Sequence, residues 1–150
     1  MATVKKTPPK LAFGDIQPVA DEKTLEAVIA NRYEVMANYA RQLRLALKQE
    51  IDSLNARPAE SVLAAAKRWM HRDVEKVPPV VLTQLELARA ALPKIDKMVQ
   101  MREELRQLWL NTNHNRAQLA LDLQAWCKRA ESSGIAALQE FSMHLRAARV

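Results

Sequence analysis

Two glycines and one cysteine are all that 150 residues contain. Two glycines cannot build a dinucleotide-binding GxGxxG turn or a phosphate-cradling Walker loop, which excludes the common nucleotide folds. Cys127 has no second cysteine to pair with, so nothing points to an oxidising compartment, and a reducing cytosol fits. A thiolate nucleophile needs a base beside it, and no histidine is local to Cys127. Behind Trp126, on what should be an inward face, it reads as a small buried hydrophobe. Histidine is also sparse: His71, His114 and His144 are far apart, whereas helical metal ligands stand three or four residues apart. Glu140 and His144 have that spacing, but a di-iron carboxylate site needs several such pairs, so a surface ion pair is expected there. Long apolar runs are missing too. A signal peptide needs about 7–15 apolar residues and a membrane helix about 20, and Lys5, Lys6, Pro8, Pro9 and Lys10 interrupt the first stretch. A soluble, cytoplasmic chain is the expectation.

What is abundant is Ala, Leu, Arg, Lys, Gln and Glu, the residues that lose least on entering a helix. The length fits one domain able to bury about 70% of its unfolded surface. Residues 1–20 have the composition of a flexible basic Lys/Pro-rich linker, and 21–150 that of a helical bundle. Asp21 suits an N-cap, and Leu25, Ile29, Met36, Leu43, Leu47, Ile51 and Leu54 repeat at helical spacing, with Arg41, Lys48 and Asp52 opposite. This predicts one long first helix over about 22–55, ended before Pro58. A second helix follows with Val62, Leu63, Trp69 and Met70, stopping near Arg72 because "VEKVPP" cannot continue it. A third holds Leu82, Leu85, Ala88 and Leu92 inward. Pro93 ends it and opens a fourth, with Ile95, Met98, Val99, Leu105, Leu108 and Trp109.

"NTNHN" reads as a turn, and Asn115 with Gln118 has capping-box spacing for a fifth helix lined by Leu119, Leu123, Trp126, Cys127 and Ala130. Gly134 stands where a helix ends on a left-handed residue, with Ile135 folding back on Ala130 in a Schellman motif, and Ile135, Leu138, Phe141 and Leu145 make a last short helix. No strand pattern and no repeat emerges. The fold class is all-α, a bundle of five to six helices behind a basic lead.

Lys plus Arg exceed Asp plus Glu by 23 to 17, a net +6, with a pI near 9.7. Such a balance permits contact with phosphates of nucleic acid or of lipid headgroups. Candidates are Arg41, Arg44 and Lys48 outside the first helix and Lys67, Arg68 and Arg72, beside His71, on the second; a merely solvated basic face is the plain alternative. Trp69, Trp109 and Trp126 occupy apolar helix positions and are expected in the core. Composition and spacing show no catalytic, cofactor-binding or metal-binding residue.

The stretches "VKKTPPKL", "DEKTLEAVIANRYEVMANYA", "MREELRQLW" and "LQAWCKRAESSGIAALQEFSMHLR" together resemble the C-terminal cytosolic region of bacterial membrane fatty-acid desaturases of the acyl-CoA delta-9 type. That resemblance implies a soluble accessory tail in lipid metabolism, a fragment of an oxidoreductase. It carries no catalytic residue over, because the family's di-iron centre is held by histidine boxes that this chain lacks. It also implies partners: the membrane domain, its electron donor and the anionic inner face of the membrane, with nucleic acid less favoured. A second resemblance competes. The segment "LRQLW…W…AESSGIAALQEFSMHLR" is similar to a helical insertion of DDE-type insertion-sequence transposases, where a Trp, a Ser-Gly-Ile turn and a Leu-Phe helix recur, and this implies DNA binding. A stand-alone helical interaction module is the third alternative.

Overall fold

The structure, a computed structural model, describes residues 32–110 and 116–146. Among them are six α-helices and no strand: α1 Arg32–Asp52, α2 Glu60–Trp69, α3 Leu82–Ala91, α4 Pro93–Leu110, α5 Arg116–Glu131 and α6 Ala136–Arg146. Two short 3-10 turns, Val74–Lys76 and Pro79–Val81, bridge α2 and α3. The prolines set these breaks. Pro78 and Pro79 have no N–H to give a helix, and Pro93 sits at the first position of α4, where that loss costs nothing. The linker, Asp21, the expected helix start at 22, the "NTNHN" turn, the Asn115 cap and His114 lie outside the described residues.

α1 is the central element, packed against α2, α4 and α6, while α4 also meets α3 and α5, and α5 meets α6. Its inward face is Val35, Tyr39, Leu43, Ala46, Leu47 and Ile51, all buried. Met36 and Leu54, expected in that stripe, are only partly buried. Tyr39 takes the place that pattern alone assigns to an aliphatic residue. Its hydroxyl donates to the Met98 carbonyl at 2.6 Å, and its ring meets Phe141 and Trp126 edge-on, with centroids at 4.9 and 6.1 Å. Trp126 is fully buried and its indole N–H donates to the Met101 carbonyl at 2.9 Å. Two helices, α1 and α5, therefore fasten to the middle of α4 through aromatic rings whose polar tips are satisfied, and Phe141 of α6 packs edge-on against both rings.

Some inward assignments need correction. Leu82 is 36% exposed, because it opens α3 directly after the 3-10 turn and Val81 packs on the core in its stead. Trp69 and Trp109 are partly buried at the edge of the core rather than inside it. Arg102, to which the helical spacing assigned no inward place, is buried.

The α5–α6 corner shows how a short motif fixes helix direction. Gly134 has φ +77°, a left-handed conformation that glycine adopts without Cβ strain. The amide of Ile135 donates to Ser133 Oγ at 3.1 Å, and that hydroxyl donates to the Ala130 carbonyl at 2.7 Å. Serine thus supplies hydrogen bonds that the Schellman expectation assigned to backbone. No atom lies within 4 Å of where a Gly134 Cβ would stand, so substitution strains the backbone without a clash. Gly134→Val should cost about 1–2 kcal/mol in denaturant unfolding; an unchanged midpoint would show that the turn tolerates a β-branched residue.

Candidate functional site

The seven residues between α1 and α2, Ser53–Ala59, turn the chain back so that the two helices lie side by side. Arg44 and Lys48 stand one turn apart on the outside of α1, and Lys67 lies near the end of α2. Together with Arg57 from the connection they line a depression of about 290 Å³ floored by Leu47 and Ile51. Asp52 is the one acidic residue in its lining. All four cations are exposed, so their charge faces solvent while the aliphatic floor keeps their stems in place.

The structure thus brings together three of the six basic residues singled out by sequence and adds Arg57. Arg57 sits in a non-helical stretch and had no periodicity to mark it; its only signal is its place before Pro58. Arg41 is turned to Asn38, whose side-chain oxygen accepts from its guanidinium, and it does not line the depression. Arg68 and Arg72 flank Trp69, with guanidinium carbons 5.2 and 5.6 Å from the ring centroid. Their charges lie over the Trp69 ring.

A second, more open depression of about 980 Å³ runs along α4, with Met70, Val99 and Leu108 among its lining. Its charged residues are largely paired. Arg102 donates to Asp73 at 2.8 Å, Arg129 to Glu104 at 2.9 Å, and Arg89 to Asp96 at 2.5 Å. Arg106 joins Asp73, Glu75 and Glu103. This network ties the loop after α2 to α4. Partial burial pushes the Asp73 carboxyl up, but the Arg102 hydrogen bond and the charges of Arg102, Arg106 and Lys76 outweigh it and hold the carboxyl below its ordinary value. A depressed folded pKa contributes stability above the unfolded value and loses it as pH falls through the folded one. Asp73→Asn should therefore lie below the parent in stability at neutral pH, with the two curves converging below about pH 4. Curves that stay parallel from pH 7 to pH 2 would rule this out.

Cys127 is buried and burial pushes its thiol up, so it is a core atom. His144 and Glu140 are both exposed on α6. Among the described residues no three His, Cys, Asp or Glu side chains converge to hold a metal ion. The pairing above gives the reason: Asp73, Glu75, Asp96, Glu103, Glu104 and Glu131 each face an arginine. No helix among the described residues is long and apolar enough to cross a membrane.

Comparison with known families then separates the two resemblances. A family model described as a transposase, of the DDE type named for ISL3, matches residues 19–150. Neither a curated protein nor a solved structure matches the chain. The family match overturns the desaturase resemblance, and with it the oxidoreductase and lipid-metabolism assignments and the membrane-domain and electron-donor partners, and it leaves the placement at the inner membrane face without support. Apart from the Lys/Pro-rich "VKKTPPKL", the stretches that carried that resemblance are mostly good helix formers, a composition that unrelated helical proteins share. The basic composition left nucleic acid and lipid open, and the ranking of nucleic acid behind the membrane came from the desaturase resemblance, so the match to a transposase family overturns that ranking too.

Proposed function

This chain belongs to the DDE-type ISL3 transposase family, and from that premise we propose that its helical bundle is a DNA-contacting part of a transposase, gripping duplex phosphates through the α1–α2 depression. The observation that carries this is the convergence of Arg44, Lys48, Arg57 and Lys67 around a single carboxylate, Asp52. Cations presented this way neutralise backbone phosphates and release condensed counterions, so the contact positions the protein on DNA without reading sequence. The aliphatic floor of Leu47 and Ile51 serves as packing beneath the charges. Trp69, covered by Arg68 and Arg72, has little free ring face for base stacking, which favours duplex over single strands.

The test is binding of the 150-residue chain to a short duplex of arbitrary sequence across a salt series. Four phosphate contacts predict that log K falls against log salt with a slope of about −3.6. A chain that does not bind at low salt, or that binds with no salt dependence, would remove the reading.

A further inference from the structure

Arg89, Arg102, Arg106, Arg129 and Arg146 each face a carboxylate. Arg68 and Arg72 face none among the described residues, and neither guanidinium has a hydrogen-bond partner there; their guanidinium carbons stand 5.2 and 5.6 Å from the centroid of the one Trp69 ring. Between Glu60 and Asp73 the chain carries Lys67, Arg68 and Arg72 and no acid. Asp73, next to Arg72 in the chain, has its carboxylate held by Arg102 and Arg106. The helix dipole accounts for Lys67 and Arg68, which stand in the last turn of α2, but not for Arg72, which lies beyond the helix end. Two guanidiniums gathered over one ring repel each other, and the negative face of the ring offsets only part of that repulsion. Both arginines are exposed. The end of α2 therefore presents a doubled, restrained positive charge that no described carboxylate balances.

We propose that Trp69 is a positioning residue that holds Arg68 and Arg72 as a two-armed clamp for one further backbone phosphate of duplex DNA, beside the α1–α2 depression. The inference rests on the DNA reading and adds a second contact to it. Lys67 lines the depression and Arg68 follows it directly, so the clamp begins one residue beyond the cleft. An arginine side chain loses much rotamer freedom when it fixes an anion, and a ring that already restrains it lowers that cost. Because no carboxylate engages either guanidinium, its N–H donors remain available to phosphate oxygens, and a charge-assisted bond to phosphate is the strong kind. The indole itself does not stack on a base. It sets where the two charges stand, and its removal leaves both charges on the protein but free to wander.

The experiment measures binding of a short duplex of arbitrary sequence across a salt series, for the 150-residue chain and for Arg68→Gln/Arg72→Gln, Trp69→Leu and Trp69→Phe. The double glutamine variant should lose about three- to tenfold in affinity at roughly 50 mM salt, with a slope shallower by about 0.9, the share of one phosphate. Trp69→Leu keeps both charges, so its slope should match the parent's while affinity falls about two- to fivefold. Trp69→Phe keeps a ring and should recover about half of that loss. Lys94→Gln/Lys97→Gln removes the same charge from exposed positions on α4 and is the control. Thermal unfolding is followed for every variant. The arginines are exposed, so their replacement decides the matter even if Trp69→Leu unfolds. Equal losses from the two double variants overturn the clamp in favour of net charge, and a Trp69→Phe chain no better than Trp69→Leu overturns the positioning role of the ring. Duplex that binds the parent and Arg68→Gln/Arg72→Gln alike overturns the clamp and leaves the DNA reading intact. A parent chain that binds no duplex at low salt overturns both.

Discussion

Replacing Arg44, Lys48, Arg57 and Lys67 together by glutamine lowers affinity for duplex DNA about a hundredfold at roughly 50 mM salt and flattens the salt dependence almost completely. Each of the four is exposed and none forms an ion pair among the described residues, so the substitutions remove charge without disturbing packing. Thermal unfolding of the variant is the control, and it should match the parent closely. Arg41→Gln provides the second control: its guanidinium is held by Asn38, away from the depression, and its loss should change affinity by less than about threefold. Equal losses from Arg41→Gln and from any one of the four would mean that net charge alone, and not the α1–α2 cleft, holds the DNA.

Glu131→Ala is expected to be the most destabilising single substitution of a charged residue, at about 3–5 kcal/mol. Arg146 Nε lies 2.6 Å from the Glu131 carboxylate, with the two side chains only 6% and 10% exposed. The same carboxylate accepts from the buried Ser142 hydroxyl at 2.7 Å. The Glu131 carbonyl accepts from the Gln139 amide at 3.1 Å. The cluster locks α6 onto the end of α5, and removing its acid leaves the Arg146 guanidinium buried without that carboxylate. Urea unfolding of Glu131→Ala, Arg146→Ala and the double variant forms the cycle, and the double variant should be no worse than the worse single one. Losses below about 1 kcal/mol would show that the pair is effectively solvated.

Which parts of this structure were legible in the sequence follows from where their signals lie. Helix breaks at Pro78–Pro79 and Pro93 are local effects of a missing N–H and fall where expected, whereas α1 already ends at Asp52 and α2 begins at Glu60, so Pro58 lies within the connection. Leu43, Leu47 and Ile51 were found by period alone, and Gly134 has the positive φ foreseen for it. Tyr39 was missed because its hydroxyl is satisfied by a carbonyl 59 residues away. Arg102 was missed for the same kind of reason, since its burial depends on Asp73, 29 residues earlier. Neither partner is visible in a helical pattern. At the site, Arg44, Lys48 and Lys67 were visible as exposed charges, but their convergence with Arg57 depends on the sharp return of the chain between α1 and α2. The family assignment went astray at the same level. Matching strings of helix-forming residues identify a helical protein, and only a pattern spread over residues 19–150 separated one helical family from another.

The closure of α1 against α6 has a consequence for how the protein is made. Tyr39 cannot cover its ring until Trp126 and Phe141 exist, since its aromatic neighbours come from α5 and α6. At synthesis rates of about 5–20 residues per second, the apolar face of α1 emerges from the ribosome seconds before its partners. During that interval Val35, Tyr39, Leu43 and Leu47 form an open hydrophobic stripe on a nascent chain. That stripe stays open until α5 and α6 have been made and packed on it.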